Sequence, residues 1–310
     1  MDGCNGTEVT EFILLGLSDN PDYQCVLFLS FLLVYIFTLT GNTLIIAATC
    51  VASQLHTPMY FFLSSLSFVD MGLTSVTVPK MLANILSSRK SISVSGCIAQ
   101  LSFFISFASA ECFLLTVMAY DRYVAICNPL RYAAVMSRGV CLLLVAVSWL
   151  AATLHSVLHS LLTARLSFCG SNRIHHFFCD MTPLLKLASS DTSTNELVIF
   201  VEGPFSVVVP FLIILVSYFC IISAILQIRS EKGRGKIFST CSSHLTVVAL
   251  FYGTAIFTYF RPTATYSLDH DRVVTLMYTV VAPMMNPLIY SLRNNDMREA
   301  FLKVFFVRHW

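Results

Sequence analysis

Asp121, Arg122 and Tyr123 close a long apolar run, Leu101 to Ala119, and set an acid beside a permanently charged guanidinium where that run meets water. Such a pair can close in one state and open in another, the bistable contact a switch needs. The plainer reading is a basic anchor on the cytoplasmic side of a membrane. A second polar group stands inside otherwise apolar runs: Asn42, Asp70, Glu111 and the stretch Asn286-Pro287-Leu288-Ile289-Tyr290. Charges inside a membrane are costly and call for an explanation. Pro287 cannot donate to the carbonyl one turn earlier, so its helix must bend or hydrate there. A third group is His175-His176-Phe177-Phe178-Cys179-Asp180, whose imidazoles, thiol and carboxylate are metal-ligand types.

Composition decides what must position these groups. Of 310 residues, 56% are apolar and 12% charged, with mean hydropathy +0.75. A soluble domain carries about twice that charged share. The surplus apolar surface must face lipid, so the chain reads as an integral membrane protein. Net charge is +2 and no basic tract occurs, which argues against a nucleic-acid partner. There is no Gly-rich phosphate loop, His-Glu-x-x-His or Gly-x-Ser-x-Gly. His155 and His159 lie one turn apart, but no activated Ser or Cys accompanies them, so a hydrolase is not supported and no enzyme activity is expected. Paired broken helices in repeated halves, the mark of a transporter, are not found either.

Seven apolar segments fall at about 25–50, 58–80, 97–120, 140–162, 197–227, 237–260 and 271–292, and roughly 20 residues suffice to span a bilayer. The expected fold is therefore an all-α seven-helix membrane bundle. Its parts are an extracellular N-terminus (1–24), a helical domain (25–292) and a cytoplasmic tail (293–310). In the tail, Arg298, Lys303 and Arg308 alternate with Phe301, Leu302 and Phe305, as in an amphipathic helix lying on a membrane surface. Residues 1–21 lack the basic flank of a cleavable signal, so the first helix is expected to serve as one. Asn5-Gly6-Thr7 is a glycosylation sequon and argues for an outside N-terminus. That orientation puts Arg122, Arg131, Arg138, Arg229, Lys232, Arg234, Lys236, Arg293, Arg298, Lys303 and Arg308 inside, leaving a minority of the 19 basic residues outside.

The stretch Met118-Ala-Tyr-Asp-Arg-Tyr-Val-Ala-Ile-Cys-Asn-Pro-Leu-Arg-Tyr132 resembles the signature of olfactory receptors of the tetrapod type, a branch of the rhodopsin-like G-protein-coupled receptors. The likeness extends from the sequon to the tail. Segment 5 ends Pro210-Phe-Leu-Ile-Ile-Leu-Val-Ser-Tyr218, and segment 6 opens Lys236-Ile-Phe-Ser-Thr-Cys-Ser-Ser-His-Leu245, both close to the family pattern. The resemblance implies a plasma-membrane receptor for small volatile ligands that activates a stimulatory, olfactory-type G protein and raises cyclic AMP. It gives Asp121, Arg122, Tyr123, Tyr218, Lys236, His244, Asn286, Pro287 and Tyr290 to coupling and switching, with segment 6 displaced to admit a G-protein helix.

For the ligand pocket, the resemblance selects Phe104, Ile105, Ala108 and Ser109 on segment 3, which recur at three- and four-residue steps. It adds Glu202, Ser206 and Val207 on segment 5, Tyr252, Ile256 and Tyr259 on segment 6, and Leu276 and Thr279 on segment 7. Glu202 either recognises a ligand donor or pairs with His159. By the same alignment Glu111 faces Asp70. Two buried carboxylates then share a proton, or a sodium ion sits on Asp70 and Glu111 with Asn286 nearby. The resemblance also implies a Cys97–Cys179 disulfide, which leaves no thiolate for a metal in the His175–Asp180 group. A second bridge usual in the family cannot form from Cys169, because Ser189 stands where its partner is expected. Cys169 is then a free thiol or bonds elsewhere.

Overall fold

The computed structural model describes residues 9–17, 21–227, 231–259, 268–293 and 295–306, with side chains described for all of these except 21–22, 231–234, 236, 239–240, 256–259, 268–271, 291–293, 295 and 302–306. The order is β1 (Glu11–Leu14), α1 (Pro21–Val51), α2 (Pro58–Leu86), β2 (Ser91–Ser93), α3 (Val94–Cys127), α4 (Tyr132–Val135) and α5 (Arg138–Ala164). Then come β3 (Arg173–Ile174), α6 (Met181–Leu187), α7 (Ser193–Gly203) and α8 (Val209–Gln227). The chain continues through α9 (Glu231–Tyr259), α10 (Leu268–Leu276), α11 (Ala282–Arg293) and α12 (Asn295–Phe306). A five-residue π-helical turn, Pro204–Val208, joins α7 to α8, and another, Met277–Val281, joins α10 to α11.

These elements form a seven-helix membrane bundle. Among the described residues, Tyr23–Val51, Pro58–Leu86, Val94–Cys127, Arg138–Ala164, Ser193–Gln227 and Arg272–Tyr290 are long and apolar enough to cross a membrane. The remaining long helix, α9, has 29 residues, about 43 Å at 1.5 Å per residue. Its first turns hold Lys232, Arg234 and Lys236, which lower their apolar share. Ser93 starts α3 by accepting from the Gly96 amide at 3.1 Å, and Ser137 does the same for α5 from Val140. The apolar stripes of α1, α2, α3, α8, α9 and α11 meet in one core that contains Ile45, Leu66, Leu115, Ile221, Val247 and Tyr290. A second core at the other end joins Leu73, Leu101 and Phe104 to the loop residues Phe177 and Phe178.

The all-α expectation misses a small sheet at that second end, in the order β2-β1-β3. β1 pairs antiparallel with β2 (Phe12↔Ile92) and parallel with β3 (Ile13↔Arg173). Phe12 and Leu14 alternate inward and are fully buried, and Phe12 meets Phe168 edge-on at 5.1 Å. Arg89 pairs with Glu11 and, with a hydrogen bond from Ser91, holds the Glu11 carboxyl below its usual range. Strands of two to four residues leave too short a hydrophobic alternation to be read from sequence.

Candidate functional site

The long loop closes one end of the bundle. Cys97, on the first turn of α3, is bonded to Cys179, with Cα atoms 5.5 Å apart. The Cys179 amide donates to Gln100 Oε1 at 2.9 Å, and Gln100 Nε2 donates in turn to the Val76 carbonyl at 2.9 Å. The loop is thus tied to α3 and α2 by a covalent bond and two hydrogen bonds. Phe178 lies on Phe104 with ring centroids 4.8 Å apart. His176 stacks on Phe177 at 4.6 Å, and its Nε2 stands 3.4 Å from the Thr275 hydroxyl. Burial, helped by the Arg272 charge, pushes its pKa down to about 3, so the ring is neutral. The metal reading of His175–Asp180 loses its thiolate to the disulfide.

Cys169 is disulfide-bonded, which removes the free-thiol alternative. Ser189 holds the same loop by other means. Its hydroxyl accepts from the Cys169 amide at 2.9 Å and donates to the Cys169 carbonyl at 3.0 Å.

Beneath the lid, Phe104, Ile105, Ala108 and Leu276 share one apolar cluster with Phe178, and Tyr278 approaches Phe104 at 6.1 Å. Thr279 is buried and Ser109 half-buried. Tyr252 is 2% exposed, packs on Phe211 at 4.7 Å, and has its hydroxyl 3.0 Å from Cys112 Sγ. Cys112 also donates to the Ser206 carbonyl at 3.3 Å, so α3, α9 and the first π turn meet at one thiol. Sequence reasoning passed over Cys112. The signal was present: it continues the face of Phe104 and Ala108 by one further turn.

Val207 departs from its expected place. It is 39% exposed, because the π turn directs its neighbour Ser206 into the bundle and the next side chain points away. The side chains of Ile256, Tyr259 and Lys236, and Asn5 with its sequon, lie outside the described residues. Glu202 pairs with His159 at 3.4 Å, as one reading had it, but its nearer partner is His155 Nδ1 at 2.9 Å.

A polar centre lies midway. Asn286 Nδ2 donates to Asp70 Oδ2 at 2.8 Å. Asp70 Oδ1, both carboxyl oxygens of Glu111, Asn286 Oδ1 and Asn42 Oδ1 are buried with no hydrogen-bond partner among the described residues. Asp70 acts electrostatically on Glu111. This all-oxygen set, rich in carboxylate and poor in donors, fits a hard cation by its chemistry.

At the far end, Asp121 Oδ1 accepts from the Tyr132 hydroxyl at 2.8 Å. Burial and that carboxylate push the Tyr132 phenol up. No ion pair joins Asp121 to Arg122 among the described residues. The expected partner is replaced by Tyr132 of α4, which the chain brings back under α3 through the turn at Pro129. Arg122 is itself buried, with Nε unpaired, and its charge acts on Tyr218, His244 and Tyr290. Tyr123 packs half-buried against the core beside Tyr120. His244 Nδ1 accepts from the Tyr218 hydroxyl at 2.8 Å, while its Nε2 donates to the Leu115 carbonyl at 3.1 Å.

Comparison with known proteins bears on this arrangement. A family model described as olfactory receptor matches residues 31–308. Olfactory receptor 5AP2 of Mus musculus is 56% identical over 300 residues, 97% of this chain and 95% of its own. Olfactory receptor 5AP2 of Homo sapiens is 54% identical, covering 97% of this chain and 96% of its own. Olfactory receptor 1f45 of Rattus norvegicus is 54% identical, covering 99% and 98%.

Proposed function

The chain belongs to the olfactory receptor family, non-enzymatic G-protein-coupled receptors of the membrane, and from that premise we propose that it binds small volatile odorants beneath the long loop and activates a stimulatory, olfactory-type G protein, raising cyclic AMP. The site stands at the plasma membrane with the N-terminus outside. The Cys97–Cys179 bond supports that orientation, because disulfides persist on the oxidising face.

One observation carries the mechanism. Tyr252 and His244 sit on the same rigid helix, α9, eight residues apart, or about 12 Å along its axis. Tyr252 touches the pocket through Cys112, and His244 fastens the helix to α8 and α3. A ligand that displaces the Tyr252 ring therefore works on the His244 contacts through a lever rather than a chain of soft contacts. The apolar lining of Phe104, Ile105 and Leu276, with few hydroxyls, suits a weakly polar ligand. Asp70 and Glu111, with Asn286 beside them, would hold a sodium ion that offsets one carboxylate charge and so favours the packed state.

The experiment is a cyclic AMP assay with pooled volatiles in cells that carry the expected G protein, with surface staining. Wild type should respond, and Tyr252→Ala should lose the response at equal surface level. An unaltered response in Tyr252→Ala removes the lever from the proposal. Silence in a well-stained wild type removes the ligand class or the G protein.

A further inference from the structure

We propose that His155, His159 and Glu202 form a binding site for a divalent d-block cation of the zinc type, bridging α5 and α7. The histidines lie four residues apart on α5, so both rings leave the same face, and their centroids are 4.6 Å apart. Glu202 of α7 presents one carboxyl oxygen to each: Oε1 to His155 Nδ1 at 2.9 Å, Oε2 to His159 Nε2 at 3.4 Å. One ligand atom from each residue lies within 4.8 Å of the other two. A tetrahedral zinc with bonds of about 2.0–2.1 Å spaces its ligands about 3.3 Å apart. The two His–Glu separations bracket that value, so only the imidazoles need close on one another.

The donor set selects the ion. Two imidazoles and a carboxylate suit zinc, nickel or copper, whereas sodium, calcium and magnesium prefer oxygen alone. Three protein ligands leave one position open, the pattern of zinc sites that accept an outside ligand. The surroundings are built as metal sites are built. His159 is buried, and Ser206 Oγ stands 3.5 Å from Glu202 Oε2, where it can steady the carboxylate. Glu202 lies two residues before the π turn Pro204–Val208, and π turns concentrate at functional sites. The site is shallow: His159 is five residues from the end of α5 at Ala164, or about 7.5 Å. Without metal, each imidazole can donate to one carboxyl oxygen, and the three form a clamp around one carboxylate charge. With metal, each ring proton moves to the other nitrogen of its own ring, and the carboxylate turns from the N–H groups to the ion.

Access from outside rests on the orientation proposed above, but binding to purified receptor does not. Full-length receptor in detergent would be titrated with zinc alone by calorimetry in two buffers of different ionisation heat, and with cobalt alone by visible absorption. The expected result is one zinc per receptor with the same heat in both buffers, because a neutral imidazole binds without releasing a proton, and the intense cobalt bands of four-coordination. His155→Ala, His159→Ala and Glu202→Gln should each weaken binding at least about 100-fold, the upper end of what losing an outer partner costs. Glu202→Gln keeps the shape of the clamp, and a cooperative melt without metal verifies that each variant is folded. Absence of saturable binding overturns the proposal. So does binding that survives all three changes, which would move the ion to other histidines such as His175. Zinc binding in a receptor that never signals would retain this site and remove the odorant mechanism instead.

Discussion

The side-chain amide of Asn42 donates to the carbonyl of Pro283 at 3.2 Å. Pro283 is four residues before Pro287, so its carbonyl is the one that Pro287, lacking an N–H, leaves without a helical donor. Asn42 on α1 therefore repairs the break in α11. Next to it, a Cβ on Gly41 would come within 3.0 Å of the Pro287 ring, so the glycine lets the two helices approach closely enough for the bond. Asn42→Ala should leave a buried acceptor unsatisfied and cost about 1–3 kcal/mol. The check is the melting midpoint of purified receptor, and an unchanged midpoint would deny the repair.

His244 is the corresponding fastening toward the end of the bundle away from the long loop. It is fully buried and holds Tyr218 and Leu115 at once. A state in which α9 has moved outward must give up both hydrogen bonds. His244→Phe removes them in advance, and at about 1 kcal/mol each the balance shifts by roughly tenfold or more toward the open state. Basal cyclic AMP should rise without ligand, while Thr246→Ala on the exposed face should not change it. Equal basal levels at equal surface staining would show that the contact does not hold the closed state.

The helices were legible because spans of lipid-facing residues announce themselves in composition alone. So were Asp70, Glu111 and Asn286, since polar atoms in an apolar run have few innocent explanations. Other parts depended on contacts that periodicity cannot register. Tyr132 reaches Asp121 only because the chain doubles back at Pro129. His155, not His159 alone, takes Glu202 because the two helices meet at that height. Val207 turns outward because a π turn inserts a residue into the helical count. The resemblance supplied Cys97–Cys179, which no spacing rule would have chosen among 11 cysteines.

Cysteine bookkeeping gives a third prediction. Among the described residues seven cysteines are free, Cys97 is paired with Cys179, and Cys169 is disulfide-bonded. Of the sequence's 11, Cys4 lies outside the described residues, and it is the partner we expect for Cys169. The Val9 amide donates to the Phe168 carbonyl at 3.1 Å, which brings the N-terminal chain beside Cys169. Peptide mapping without reduction should recover the Cys4 and Cys169 peptides linked. Ser189→Cys should then add one free thiol and leave thermal stability unimproved. Loss of the thiol count in that variant, or Cys4 recovered unlinked, would reverse the assignment.

The polar centre gives a fourth. If a sodium ion is shared by Asp70 and Glu111, wild-type receptor should melt at a higher temperature in sodium than in choline chloride. Glu111→Gln removes one carboxylate and should abolish that difference. A variant that keeps the full sodium effect would leave the carboxylates sharing a proton and no ion.

The last prediction concerns acid. His176 titrates near 3 in the folded receptor because burial and the Arg272 charge disfavour the imidazolium, whereas an unfolded histidine titrates near 6.5. Above pH 6.5 both states are neutral and the buried ring contributes its full packing. As pH falls below 6.5 the unfolded chain takes up a proton that the folded chain refuses, so stability drains away until about pH 3. Between pH 7.5 and 5.5 the loss amounts to about 1.4 kcal/mol. Glu11 and Asp191 do not contaminate this window, because their carboxyls are held below an already acidic range. His176 packs against Phe177 and Phe178, so the loss falls on the long loop. The melting midpoint should drop by a few degrees on acidification, and His176→Phe should lessen that slope by its own share while keeping the aromatic stack. A slope that persists unchanged in His176→Phe would assign the acid sensitivity to another group.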